Sequence, residues 1–219
     1  MKPFLILYLF CCSTSIFGQA QCVCDKDSSI KESISCDTTI LKNKSLLYYQ
    51  FNCDTIWLTL ESSNKKRMVL FSMGTELSGY NYRLGFQLVK EFKNSLLFRY
   101  GCPANGPCDY VLVNKFNGQQ EKQLYELVYT SEDKPTNFII YFADTSLNRL
   151  TLYNVDSKKK HTIKVPGKRF KHSPVPEQQF EGSELKKNIL ILKYHYPTEN
   201  KEENQKIDTV IIDLKKYAS

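Results

Sequence analysis

The chain has 219 residues, with 30 Lys and Arg against 23 Asp and Glu, and eight cysteines. A net charge of +7 is modest for this length and does not point to nucleic acid. Fourteen Tyr and 13 Phe, among abundant Ile, Leu, Val and Thr, favour strands over helices.

At the N-terminus a single Lys2 precedes a nearly unbroken apolar run over residues 3–17, followed by Gly18-Gln19-Ala20. An apolar stretch too short to span a bilayer, ending in small residues three and one places before a cut, reads as a signal peptide cleaved after Ala20. A lipid anchor on Cys22 is the rival reading. The residue before an acylated cysteine is normally Gly, Ala or Ser, and here it is Gln21. Cleavage removes Lys2 and leaves 29 basic against 23 acidic side chains. No later segment approaches the roughly 18 to 20 apolar residues of a membrane helix, so the expectation is an exported, soluble protein, periplasmic or extracellular. Residues 21–43 read as a cysteine-bearing N-terminal segment and 44–219 as one domain of ordinary size.

Six cysteines follow the cut: Cys22, Cys24, Cys36, Cys53, Cys102 and Cys108. An even set in an exported chain predicts three disulfides. Cys102 and Cys108 bracket Pro103-Ala104-Asn105-Gly106-Pro107, whose Pro and Gly favour a tight reversal that brings the sulfurs together. Cys22 and Cys24 point opposite ways in extended chain and do not bond each other. That leaves 22 with 36 and 24 with 53, or 22 with 53 and 24 with 36. Zinc is disfavoured, because Cys-x-Cys and Cys-x5-Cys lack ribbon spacing and His161, His172 and His195 are scattered. No metal or cofactor is expected.

One unit then recurs four times: an apolar strand, a connection, a second strand and a polar turn. The strands fall at 45–51 and 56–60, 95–100 and 110–113, 137–142 and 150–153, and 188–193 and 209–212. The first three copies end in polar turns at 61–65, 114–118 and 154–158, each followed by a third short strand at 68–71, 121–124 and 162–165. Further strands fill 84–92 and 127–130. Strand starts at Leu46, Leu96, Phe138 and Ile189 are spaced by 50, 42 and 51 residues, in the range of propeller blades. The fold class is antiparallel all-β, about four repeated meanders with a disulfide-stapled N-terminal segment. A two-sheet sandwich or a curved sheet is preferred, with a small propeller-like arrangement as the alternative. Residues 28–40 have room for a short helix. Residues 167–183, with Pro174 and Pro176 among charged and amide side chains, read as an exposed excursion.

The densest charge cluster holds Lys158, Lys159, Lys160, Lys164, Lys168, Arg169 and Lys171 without one carboxylate. A solvated turn and loop is the plain reading; gathered on one side, these cations would instead attract an anionic envelope polymer. Glu132-Asp133 and Glu202-Glu203 lie in polar turns. Gly-x-Ser-x-Gly, His-Glu-x-x-His and glycine-rich phosphate loops are missing. His195, between Tyr194 and Tyr196, reads as a strand-end residue, and Trp57 as a core anchor. The sequence therefore favours an exported non-enzymatic protein that binds a polymer or protein partner. The alternative is a secreted hydrolase of carbohydrate or peptide, which requires carboxylates, or His195 with a carboxylate, to converge.

Overall fold

A computed structural model describes residues 22–130, 136–170, 173–197 and 205–217. Within them, strands gather into four antiparallel sheets that follow one another along the chain. The first holds β1 (Thr39–Ile40), β2 (Leu46–Phe51), β3 (Thr55–Glu61) and β4 (Arg67–Gly74); the second β5 (Gln87–Glu91), β6 (Ser95–Tyr100), β7 (Asp109–Asn114) and β8 (Gln120–Leu124). The third is built from β9 (Leu127–Tyr129), β10 (Phe138–Phe142), β11 (Arg149–Asn154) and β12 (Lys160–Lys164). The fourth has β13 (Phe180–Lys186), β14 (Ile189–Pro197) and β15 (Gln205–Asp213).

Strand alternation explains how these sheets pack. In β6, Leu96 and Phe98 join Leu47, Leu58 and Leu60 of the first sheet, while Leu97 between them joins Ile139 and Tyr141 of the third. In β10, Ile140 and Phe142 turn the other way, onto Leu190, Leu192 and Tyr194 of the fourth. The second and third sheets are thus buried on both faces, which is why their central strands read as unbroken apolar runs. Four sheets packed in chain order exceed the two layers of a sandwich, and each unit of the repeat forms its own antiparallel sheet.

The repeat begins one strand earlier than the sequence reading placed it, at β1, β5, β9 and β13. Three of the first hairpins turn on a shared pair, Lys42-Asn43, Lys93-Asn94 and Lys187-Asn188. The last hairpins of the second and third sheets share an Asn whose side-chain oxygen accepts two backbone N–H groups. Asn114 takes those of Phe116 and Asn117, and Asn154 those of Asp156 and Ser157. Four residues on, the chain passes through left-handed φ at Gly118 (69°) and Lys158 (61°). Glycine is free there, whereas a lysine carries a modest backbone cost.

The N-terminal segment is a clasp. Disulfides Cys22–Cys36 and Cys24–Cys53 select the first of the two pairings open to the sequence, and Cys102–Cys108 closes the third loop. A short helix α1 (Ser29–Ser33) puts Ile30, with Ile34 just beyond it, against Phe51 and Ile56. By chain-entropy reasoning each bridge contributes roughly 2 to 4 kcal/mol, mostly by restricting the unfolded chain.

Two expectations are corrected. Residues 167–183 are not an exposed excursion: Phe170 is fully buried among Phe142, Phe180 and Tyr194, and Gln179 donates to the backbone oxygens of Arg169 and His195. Burial of one aromatic, and of an amide whose Nε2 donates twice to backbone, outweighs the polar composition around them. Trp57 is not a core anchor either. It points to the face of β3 opposite Leu58, half-buried, where its indole N–H donates to Gln50 Oε1 at 3.1 Å.

Candidate functional site

Three constellations carry chemistry. The first lies where the outer edges of the second and third sheets face each other. Lys122 on β8 stands opposite Leu112, whose side chain points toward the third sheet, so Lys122 points there too. Its Nζ lies 5.7 Å from the ring centre of Tyr141 and 5.3 Å from that of Tyr153. Lys160 on β12 is the cross-strand neighbour of Tyr153 and approaches Lys122 from the opposite sheet. Burial, and then the charge of Lys160, lower the proton affinity of Lys122. Thr162 and Lys164 continue the same face of β12 and are exposed, with Arg149 paired to Lys164 across the strand.

The structure sorts the sequence cluster. Lys158 binds Glu121 at 2.8 Å. Burial would raise the Glu121 carboxyl, but Lys158, Ser95 and Asn114 together hold it below its ordinary range. Arg169 donates to Tyr194 Oη at 2.8 Å, pairs with Asp208 and lies 4.2 Å from the centre of the Tyr196 ring. These two cations are engaged in intramolecular pairs. Lys159, Lys160, Lys164 and Lys168 are exposed; Lys171, with His172, lies outside the described residues, as do Glu132, Asp133, Glu202 and Glu203. Spacing alone did not reveal Lys122, which is separated from Lys160 by the whole of β9 to β11.

The second constellation is a pair of carboxyls. Glu126 sits in the link from β8 to β9, and Glu177 in the one-turn 3₁₀ segment Pro176–Gln179 that precedes β13. Their Oε2 atoms are buried without a protein donor, and the two groups lie within hydrogen-bonding reach of each other. Burial, with the Glu126 charge beside it, pushes Glu177 up to about 7. Burial raises Glu126 as well, partly offset by the neighbouring Glu177 carboxyl. Tyr110 of β7, itself raised by burial and then by the charge of Glu177, faces the pair, with Arg99 near it. Two carboxyls holding one proton can combine a proton donor with a proton acceptor. Fifty-one positions separate the two glutamates, and no local pattern marks either.

The third is His195 Nδ1, 2.9 Å from Glu181 Oε1, at the bulge where β13 shifts register against β14. The contact becomes an ion pair when the imidazole is protonated. Among the described residues no three metal-type ligands gather, and no helix is long and apolar enough to cross a membrane.

No family model matches the chain, and no curated protein does. Among solved structures, the chain is similar to the X-ray structure of a hypothetical selenium-binding protein from Sulfolobus tokodaii, at 10% identity and a TM-score of 0.28. The match covers 77% of this chain, which spans 45% of that one.

Proposed function

We propose that this is an exported, non-enzymatic binding protein that holds an anionic envelope polymer or an acidic partner, its signal peptide removed after Ala20. One observation carries the reading: Lys122 and Lys160 are brought together from different sheets although like charges repel, and Lys164 extends them. An anion between them would offset that repulsion. Three disulfides fit an oxidising compartment. The test is retention of the oxidised chain on immobilised polyglutamate and sulfated dextran. Lys122→Glu with Lys160→Glu should abolish retention at physiological salt; unchanged retention, or none by the parent chain, rejects the reading. Intact mass of the protein from its native host should begin at Gln21 with all six cysteines oxidised.

A second reading, a secreted hydrolase of carbohydrate or peptide, is favoured by Glu126 and Glu177. At neutral pH Glu177 would donate a proton while Glu126 accepts one. Turnover of any chromogenic glycoside or peptide in a broad panel, lost in Glu177→Gln, would replace the binding reading with this one.

A further inference from the structure

The strands that carry these lysines also present their backbone. Both β8 and β12 are outermost strands, and among the described residues no strand pairs with the outer edge of either. Their N–H and C=O groups on that side are a template for another extended chain. Sugar recognition would need exposed ring faces, yet Tyr141 and Tyr153 are buried and lie under Lys122. What these edges present is ammonium groups and strand backbone.

We propose, building on the binding function above, that the outer edge of β12 docks an extended acidic peptide as an added strand. Carboxylates at alternate positions would meet Lys160, Lys164 and Lys122. Lys160 and Lys164 share one face of β12, roughly 13 Å apart at about 3.3 Å per residue. Alternate residues of an added strand fall on that face about 6.6 Å apart, so every second one of them matches the spacing of the two lysines. The intervening residues of β12 are His161 and Ile163. Ile163 packs toward the fourth sheet and His161 lies 4.8 Å from the ring of Tyr217, so the other face of the added strand meets apolar surroundings. The ligand is therefore a strand of alternating acidic and apolar residues. The nearby carboxylate of Glu121 is already neutralised by Lys158, and Asp156 lies in the exposed turn beyond the strand.

The test uses the oxidised chain starting at Gln21 and a fluorescein-labelled alternating Glu-Val heptapeptide, read by anisotropy. Lys160→Glu, Lys164→Glu and Lys122→Glu should each weaken binding at least tenfold, while Lys31→Glu, on the exposed side of α1, leaves it within threefold. N-methylation of alternate peptide amides should also weaken it at least tenfold, because it removes ladder donors and leaves every charge in place. Circular dichroism and melting curves of the variants, all at exposed or half-buried positions, check that they fold. If the N-methylated peptide binds as well as the parent, or if polyglutamate and sulfated dextran bind while the peptide does not, strand addition is wrong and the polymer-binding function stands. If no polyanion binds, both fall.

Discussion

The last hairpin turns of the second and third sheets share one backbone and carry opposite chemistry. Asn114 and Asn154 close them alike, their N–H groups donating to Gln119 O at 2.8 Å and Lys159 O at 2.9 Å. The next residue of each is buried, and its N–H reaches the preceding hairpin, Lys115 to Asn94 O and Val155 to Asn137 O. Val155 packs with Phe92, Tyr141 and Tyr153. Lys115, equally enclosed, places Nζ 2.8 Å from Glu91 Oε1 and 3.1 Å from Phe92 O. Glu91 also accepts the Lys42 N–H, tying the second sheet to the first. A repeated turn fixes the geometry and burial of this position; a carboxylate placed beneath it decides whether a cation is tolerated there.

The sharpest way to break the comparison is to exchange the residues. Val155→Lys buries an ammonium among the rings of Phe92, Tyr141 and Tyr153, with no carboxylate packed against that position among the described residues, and should lower stability by about 4 kcal/mol or more. For a chain of this size each kcal/mol moves the melting temperature by about 2 to 4 °C, so calorimetry will read it directly. Lys115→Ala strips Glu91 of its cation and should cost about 3 kcal/mol. The double change Lys115→Met with Glu91→Gln should return to within about 1 kcal/mol of the parent, because a buried ion pair contributes little net stability over packed neutral groups. A double variant as unstable as Lys115→Ala would mean the pair itself, not the stranded carboxylate, matters.

Lys115 also marks where the sequence stops being legible. The strands were readable because sheets buried on both faces write continuous apolar runs, and the Pro-Gly loop between Cys102 and Cys108 announced its own bridge. The paired Lys-Asn hairpins were present as a signal, L-K-N-K-S-L-L-Y, F-K-N-S-L-L-F and L-K-K-N-I-L-I, and mark the true start of the repeat. Lys115 read as a polar turn residue, since nothing local says that Glu91 waits below it. Lys122, Glu126 and Glu177 were hidden for the same reason: their partners come from other sheets, and only the stacking order brings them together. Phe170 was masked by the prolines and charges around it.

A smaller effect separates the two turns at their fifth residue. Gly118 has a φ of 69°, and a Cβ there would lie 3.1 Å from Leu70 Cδ2 and 3.2 Å from Met68 Cβ. Gly118→Val should therefore cost about 2 kcal/mol, from both strain and crowding against the first sheet. The third sheet accepts Lys158 at this φ, with its ammonium on Glu121. A denaturant midpoint unchanged in Gly118→Val would show that the turn adjusts, and that the shared backbone is not enforced.

The last contrast sets Glu91, matched by a lysine, against Glu177, whose neighbouring carboxyl is another acid. Glu177 is raised from 4.5 to about 7 in the folded chain, so between these values the native state keeps a proton that the unfolded state has released. Proton linkage then makes the chain lose stability as pH rises through that interval, with no further loss from this group above it. The groups facing it do not reverse the sign: Glu126 is raised too, and the Tyr110 hydroxyl stays protonated throughout. Because Glu177 is only partly buried, water softens the repulsion and the expected loss is about 1 to 2 kcal/mol. Glu177→Gln places an amide beside Glu126 without a second charge. Its melting temperature should differ less between pH 5 and pH 8 than that of the parent, the two chains coming closest at the acidic end. A parent chain that is more stable at pH 8 than the variant would mean the two carboxyls do not share a proton.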